Sequence, residues 1–512
     1  MTIDNTNTNY AIELKGICKS FGTVKANDNI DLTVRFGEIL ALLGENGSGK
    51  TTLMNMLSGI YHPDGGSIYV DGNEVSIQSP EDAKRLGIGM VHQHFKLVDV
   101  MTAADNITLG GKGGLFVKKD RFKEIKELSE KYSFELDPEK LVMNMSVSEK
   151  QTVEILKLMY NGARILILDE PTAVLTPQET EKLFDILRNM KKEGCAIIII
   201  THKLNEVMSI SDRVTILHKG KSVQTVNTAE TNPNELTELM VGHPMQLSIR
   251  RVECEKGENI LHVHNLTLEN SDGAEVIKKL SFDLYEGEIL GVAGVAGSGQ
   301  KELCEAIAGL YPIKKGAVLY RDMNIEGKTP REIIDLGISM SFIPEDRLGM
   351  GLAASLDIVD NMMLKTYRDK KGIFVDRVTA EELANKVVEE LEVKTPDVHT
   401  PVRQLSGGNV QKVLLGREIA ADPSVIITAY AVRGLDINSS YTIYDALNEQ
   451  KERGVGVLFI GEDLDVMLEL CDRIMVLCHG QCSGIVEAKE TTKEYLGLLM
   501  TASVTEGEND EQ

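Results

Sequence analysis

Gly44-Glu45-Asn46-Gly47-Ser48-Gly49-Lys50-Thr51 follows the apolar run Ile39-Leu-Ala-Leu-Leu43 and leads into Thr52-Leu-Met-Asn-Met-Leu57. This is a complete phosphate-loop pattern in the strand, turn and helix context it requires. Glycines let successive backbone N–H groups close around phosphate oxygens. Lys50 adds a cation, and Thr51 a hydroxyl of the kind that ligates Mg²⁺. Two more continuous apolar runs follow, Arg164-Ile-Leu-Ile-Leu-Asp169 and Ala196-Ile-Ile-Ile-Ile-Thr201, separated by a helical pattern. Short apolar strands alternating with helices predict a mostly parallel α/β sheet buried on both faces. Residues from about 96 to 160 are richer in helix formers and predict a helical insert.

The pattern then repeats. Gly37-Glu-Ile-Leu-Ala-Leu-Leu-Gly44 returns as Gly287-Glu-Ile-Leu-Gly-Val-Ala-Gly294, and Ser211-Asp-Arg-Val-Thr-Ile-Leu217 as Cys471-Asp-Arg-Ile-Met-Val-Leu477. The offsets are 250 and 260, far above the ~20–50 residues of a solenoid repeat, so whole domains are duplicated. The expected domains are 10–245 and 255–500, joined near Gly242 to Gly257, with an acidic tail over 501–512.

With 512 residues, 42% of them apolar, the chain is long enough for two full cores. Its net charge of −23 argues against a nucleic-acid partner, because a phosphodiester backbone is repelled by such a surface. Seven scattered cysteines without a CxxC pair fit a reducing compartment. No apolar run reaches the ~18 residues of a membrane span, and Met1 to Tyr10 lacks the pattern of a signal peptide.

Asp169 ends a strand whose carboxyl end lies on the phosphate-loop side of such a sheet, a placement suited to holding Mg²⁺. Glu170 follows it and is placed to polarise an attacking water. His202 closes the next strand. Gln93 lies in Val91-His-Gln-His-Phe95, and Phe21 precedes the loop strand, either as a base-stacking ring or as core. Cys478-His-Gly-Gln-Cys482 aligns with His218-Lys-Gly-Lys-Ser222 and reads as a turn between strands rather than a metal site.

Together these residues resemble the nucleotide-binding domain of ABC transporters, over roughly 10–500. The resemblance implies two tandem P-loop domains, each a mostly parallel sheet with an antiparallel subdomain and a helical insert. It also implies ATP and Mg²⁺ as cofactors. On that resemblance Phe21 stacks on adenine, and the stretch from Gly44 to Thr52 binds phosphate. Thr51, Gln93 and Asp169 attend the metal; Lys50, Glu170 and His202 are catalytic, with His202 at the γ-phosphate. The family signature, LSGGQ, stands as Leu405-Ser406-Gly407-Gly408-Asn409 in the second half and as Met145-Ser-Val-Ser-Glu149 in the first.

The two halves differ in a sorted way. In the second, Gln300 replaces the loop lysine, Lys301 the hydroxyl, Ala429 and Tyr430 the paired acids, and Glu462 the histidine. The Q-loop position falls on or near Glu345, and no aromatic occurs between His262 and Ser281. In the first half the signature is degraded, although Ser146-x-x-Glu149 still predicts a capping box. Asp436 in Gly434-Leu-Asp436 is kept, whereas Thr176 stands at its counterpart. In the family, ATP lies between the phosphate loop of one half and the signature of the other, so one catalytic and one degenerate composite site are expected.

Twin domains without a membrane span resemble the energy-coupling ATPases of bacterial simple sugar and nucleoside importers. Val91-His-Gln-His-Phe95, Gly291-Val-Ala-Gly-Val-Ala-Gly-Ser-Gly-Gln300 and Ile343-Pro-Glu-Asp-Arg347 favour the nucleoside branch. Ala429-Tyr-Ala-Val432 departs from the Ala-Gln-Pro-Thr usual there. The resemblance implies two integral-membrane permease partners, an extracytoplasmic substrate-binding protein or lipoprotein acting indirectly, and a peripheral place on the cytoplasmic face of the plasma membrane. The alternatives are the same role in a simple sugar importer, or a soluble twin ATPase acting on ribosomes.

Overall fold

The computed structural model describes residues 10–92, 95–109, 119–242, 249–336, 338, 340–367 and 375–501. Gln93 and the acidic tail therefore lie outside the described residues. The chain divides into two compact units, Met1–Leu247 and Ser248–Gln512.

The first unit has two sheets. One has six strands in the order Lys221–Asn227, Arg213–His218, Ile39–Leu43, Ala196–Ile200, Ile165–Asp169, Ile88–Val91. The last five run parallel, and Lys221–Asn227 is an antiparallel edge. Ile165 to Leu168 and Ala196 to Ile200 are buried on both faces, as their unbroken apolar runs predict. An Ile→Ala truncation in this layer is expected to cost about 2–5 kcal/mol.

The second sheet is antiparallel and has four strands: Val24–Arg35, Tyr10–Phe21, Gly65–Val70 and Asn73–Val75. The resemblance implied it, whereas the run-by-run reading of apolar strands passed over it. Its strands alternate buried and exposed residues, the pattern of a sheet with one wet face, so they form no solid apolar run. Phe21 accordingly ends a strand. The helical insert holds Ala103–Thr108, Lys119–Lys131 and Val147–Tyr160.

The second unit repeats both sheets. The six-stranded one runs Met340–Ile343, Val425–Ala429, Gly456–Ile460, Ile289–Gly294, Arg473–Cys478, Gln481–Glu487. The strands Asn259–Glu269 and Glu275–Tyr285 begin the antiparallel sheet. Even strained backbone recurs, since Glu170 and Tyr430 both have positive φ, 47° and 55°. The Cys478 turn is as expected, because Cys478 pairs with Gln481 across an antiparallel hairpin. No cluster of three or more metal-ligating side chains occurs among the described residues.

Candidate functional site

The loop strand Ile39–Leu43 lies between Ala196–Ile200 and Arg213–His218, so its carboxyl end delivers the phosphate loop at the middle of the sheet edge. Backbone packing forces two of the glycines. A Cβ on Gly44 would lie 2.3 Å from the Leu217 carbonyl oxygen, and one on Gly49 would lie 2.3 Å from that of Ala26. Gly49 is also left-handed, at φ 97°, where it begins the helix Lys50–Leu57.

Lys50 is buried and folds back along the loop. Its Nζ donates to the carbonyls of Gly44 at 2.7 Å and Glu45 at 2.9 Å. Burial lowers its pKa, against the pull of Glu170, Asp169 and Glu45. Thr51 is exposed in the first helical turn; Thr52 is half-buried.

Asp169 and Glu170 end the strand Ile165–Asp169 at the same edge. Burial pushes the Asp169 carboxyl up to about 6, helped by the charge of Glu170 and opposed by Lys50. Glu170 moves the other way. Its Oε1 meets His202 Nδ1 at 3.1 Å, and this bond outweighs burial to hold the carboxylate below its usual range. Glu170 is thus ionised at neutral pH, as a water-polarising base must be. The donor types fit a small hard cation: one hydroxyl and one unhappily desolvated carboxylate, with room left for waters and substrate oxygens.

Phe21 is 44% exposed, which excludes the core reading and leaves its ring open to a partner.

The two signature helices begin differently. At Val147–Tyr160, Ser146 Oγ accepts the Glu149 N–H at 3.2 Å, and Glu149 Oε2 accepts the Ser146 N–H at 2.7 Å. Lys140 holds the same carboxylate at 2.7 Å. Burial alone would raise Glu149; the Lys140 and Ser146 bonds together keep it low. The helix's positive end is thus filled by its own anion. At Gly407–Ala420 there is no side-chain cap. Asn409 instead donates to Ser406 Oγ at 2.8 Å and accepts the Lys394 N–H at 2.8 Å, with Ser406 and Gly407 exposed.

In the second unit Gln300 occupies the lysine's place and donates to the Val295 carbonyl at 3.2 Å. Lys301 points away toward Glu305, 3.9 Å distant. Burial pushes the Tyr430 phenol far above its ordinary range, with Glu462 and Glu345 adding to the shift, so it stays neutral. Sequence reasoning missed Arg433. Its guanidinium bridges Glu345 and Glu462, the latter at 3.1 Å, and lies 5.7 Å from the Tyr430 ring centroid. Its counterpart is Ala173, a difference the repeat itself displays.

A family model for the ABC transporter matches residues 27–173 and again 277–428. The chain is 43% identical to the guanosine import ATP-binding protein NupO of Bacillus subtilis (strain 168), over 96% of this chain and 98% of that protein. It is 42% identical to the nucleoside import ATP-binding protein NupA of Lactococcus lactis subsp. cremoris (strain MG1363), over 96% and 97%. The glucose import ATP-binding protein TsgD13 of Haloferax volcanii is 38% identical over 96% and 95%. Among solved structures, the archaeal ribosome recycling factor aABCE1 in complex with ribosomal stalk protein aP1 aligns with a TM-score of 0.62. It shares 16% identity over 94% of this chain and 92% of that one, a likeness of fold alone. The chain therefore belongs to the ABC transporter family, as an ATP-hydrolysing ATP-binding protein that carries the family's domain twice.

Proposed function

We propose that this protein is the energy-coupling ATPase of a bacterial importer and that the importer carries nucleosides. The observation that carries the substrate is the order of its relatives. A guanosine and a nucleoside import protein match at 43% and 42% over nearly the whole chain, above glucose and ribose import proteins at 38%. The motifs of the nucleoside branch support the same reading. Two permease subunits take up the work of ATP turnover at the cytoplasmic face of the plasma membrane. A substrate-binding protein or lipoprotein outside delivers the solute. No helix among the described residues is long and apolar enough to cross a membrane.

The residues of one full catalytic set are the following. Lys50 and the backbone of Gly44 to Thr52 hold the phosphates. Thr51 and Asp169 hold Mg²⁺, which supplies charge neutralisation when bound, and Gln93 attends it. Glu170 orients the attacking water, and His202 fixes Glu170 and meets the γ-phosphate. Ser406, Gly407, Gly408 and Asn409 are the intact family signature, at a helix end suited to binding phosphate. Phe21 stacks on the base. The second unit's own loop, with Gln300, Ala429, Tyr430 and Glu462, turns nothing over.

Uptake of labelled nucleosides and simple sugars, in cells lacking other transporters for them, tests this. The chain restores nucleoside uptake and its Lys50→Ala variant does not. Rescue of sugar uptake alone replaces the substrate with a sugar and keeps the mechanism. Rescue of neither overturns the importer reading.

A further inference from the structure

The strand that ends at Phe21 is tied to the segment following the phosphate-loop helix. Asp64 accepts from Lys19 Nζ at 2.8 Å and from the Ser20 N–H at 2.7 Å, while the Asp64 N–H donates to the Cys18 carbonyl at 2.8 Å. Lys19 holds the Asp64 carboxyl below its usual range, with the Ser20 N–H adding to it. On the same tie, the Tyr61 ring meets the Phe21 ring edge to face, with centroids 5.3 Å apart and planes at 70°. Lys19 Nζ lies 5.6 Å from the Phe21 centroid. Both rings are open to solvent, Tyr61 by 36% and Phe21 by 44%.

The second unit joins the same two segments differently and has no ring at the strand end. The strand pairing matches Cys18 to Thr267 and Asp64 to Lys314, so Lys19 falls on Leu268 and Ser20 on Glu269, and Lys314 pairs there with Glu269, one position further along the strand. Tyr61 becomes Tyr311, but Phe21 becomes Asn270. With no ring to meet, Tyr311 turns its hydroxyl to the Glu269 carbonyl at 2.8 Å. Each unit thus spans these two segments with an ion pair, built from different strand positions. The tyrosine faces an aromatic only where the nucleotide loop is complete.

We infer that Tyr61 is a positioning residue for the nucleotide base. It braces the Phe21 ring edge-on, and the Lys19–Asp64 pair sets the brace. The inference rests on the proposed stacking role of Phe21. A ring at a strand end has free side-chain torsions, and an edge-to-face neighbour removes that freedom before the base arrives. The stacking surface is then preorganised, so binding loses less in ordering.

The test uses steady-state hydrolysis by the full chain, with Mg-ATP equilibrium dialysis alongside. Tyr61→Ala raises KM for ATP by about two- to tenfold, with kcat held within about twofold. Tyr61→Phe keeps the normal KM. In a Phe21→Ala background, Tyr61→Ala adds nothing. Lys19→Glu and Asp64→Lys each raise KM, and the double exchange, which restores the opposite charges, restores it. A normal KM for Tyr61→Ala beside a raised one for Phe21→Ala overturns the bracing role alone. An equal further rise in the Phe21→Ala background, or failure of the double exchange to restore, also overturns it. A normal KM for Phe21→Ala removes the stacking reading, and this inference with it.

Discussion

Glu170 Oε1 lies 3.1 Å from His202 Nδ1, while the matching pair in the second unit, Tyr430 and Glu462, is linked through the guanidinium of Arg433. The backbone under both pairs is the same, with Glu170 and Tyr430 in the left-handed region and each N–H bonded to the neighbouring strand, at Ile200 and Ile460. The scaffold was kept and its chemistry exchanged.

Glu170→Gln is therefore expected to reduce kcat by roughly 10²–10⁴-fold while leaving Mg-ATP binding intact, because only the proton acceptor is removed. Lys50→Ala loses both binding and turnover. Tyr430→Phe and Gln300→Ala leave turnover within a few-fold, roughly, of wild type. Single-turnover kinetics with labelled ATP checks all four, and equal loss at Tyr430 or Gln300 would assign catalysis to both units.

Asp169 makes a prediction about stability. Its carboxyl is raised to about 6 by burial and by Glu170. A carboxyl raised in the folded state favours folding while protonated, and that contribution is lost as pH rises through about 6. At pH 7.5 the folded chain thus carries a desolvated anion that Mg²⁺ would neutralise. Asp169→Asn is expected to stabilise the metal-free protein at pH 7.5 by roughly 1–2 kcal/mol, allowing for its partial exposure, while abolishing turnover. The gain shrinks at pH 5. Thermal melts of both proteins with EDTA, at the two pH values, measure it; lower stability of the variant at pH 7.5 would contradict the burial argument.

The signature helices separate phosphate recognition from helix capping. A Cβ on Gly408 would lie 2.5 Å from Ser439 Oγ and 3.0 Å from Asp436 Oδ2. Gly408→Val therefore displaces that helix end and is expected to lower kcat by about 10²-fold or more. Glu149→Ala removes half of a capping box and the partner of Lys140. It is expected to destabilise the chain by about 0.5–2 kcal/mol with turnover retained. A chemical-denaturation curve and an ATPase assay on each variant distinguish the two roles.

Much of this was legible in the residues, for physical reasons. The phosphate loop could be read because its glycines answer local clashes, at Leu217 and Ala26, that permit no other side chain. The buried strands were legible because both their faces are apolar. The antiparallel sheet was hidden from that reading because its alternating strands mix polar and apolar residues. Arg433 and Tyr61 were hidden because their meaning is relational. An arginine after a strand and a tyrosine after a helix are ordinary until Glu345 and Glu462, or Phe21, are found beside them. In each case the repeat carried the signal, as Ala173 against Arg433 and as Asn270 against Phe21.

Arg433 is the last test, because it separates a structural network from a nucleotide site. It is half exposed, as are its two carboxylate partners, so each ion pair contributes only about 0–1 kcal/mol. Removing the guanidinium, however, leaves Glu345 and Glu462 facing each other above a neutral tyrosine. Arg433→Ala is expected to cost about 1 kcal/mol through that repulsion, and adding Glu462→Gln to recover most of it. If the network is only structural, neither change alters the KM for ATP. Denaturation curves for the two singles and the double, with KM measured on each, decide the matter. A loss that Glu462→Gln fails to relieve would show that repulsion is not its cause. A KM that rises with Arg433→Ala would make the arginine a nucleotide contact.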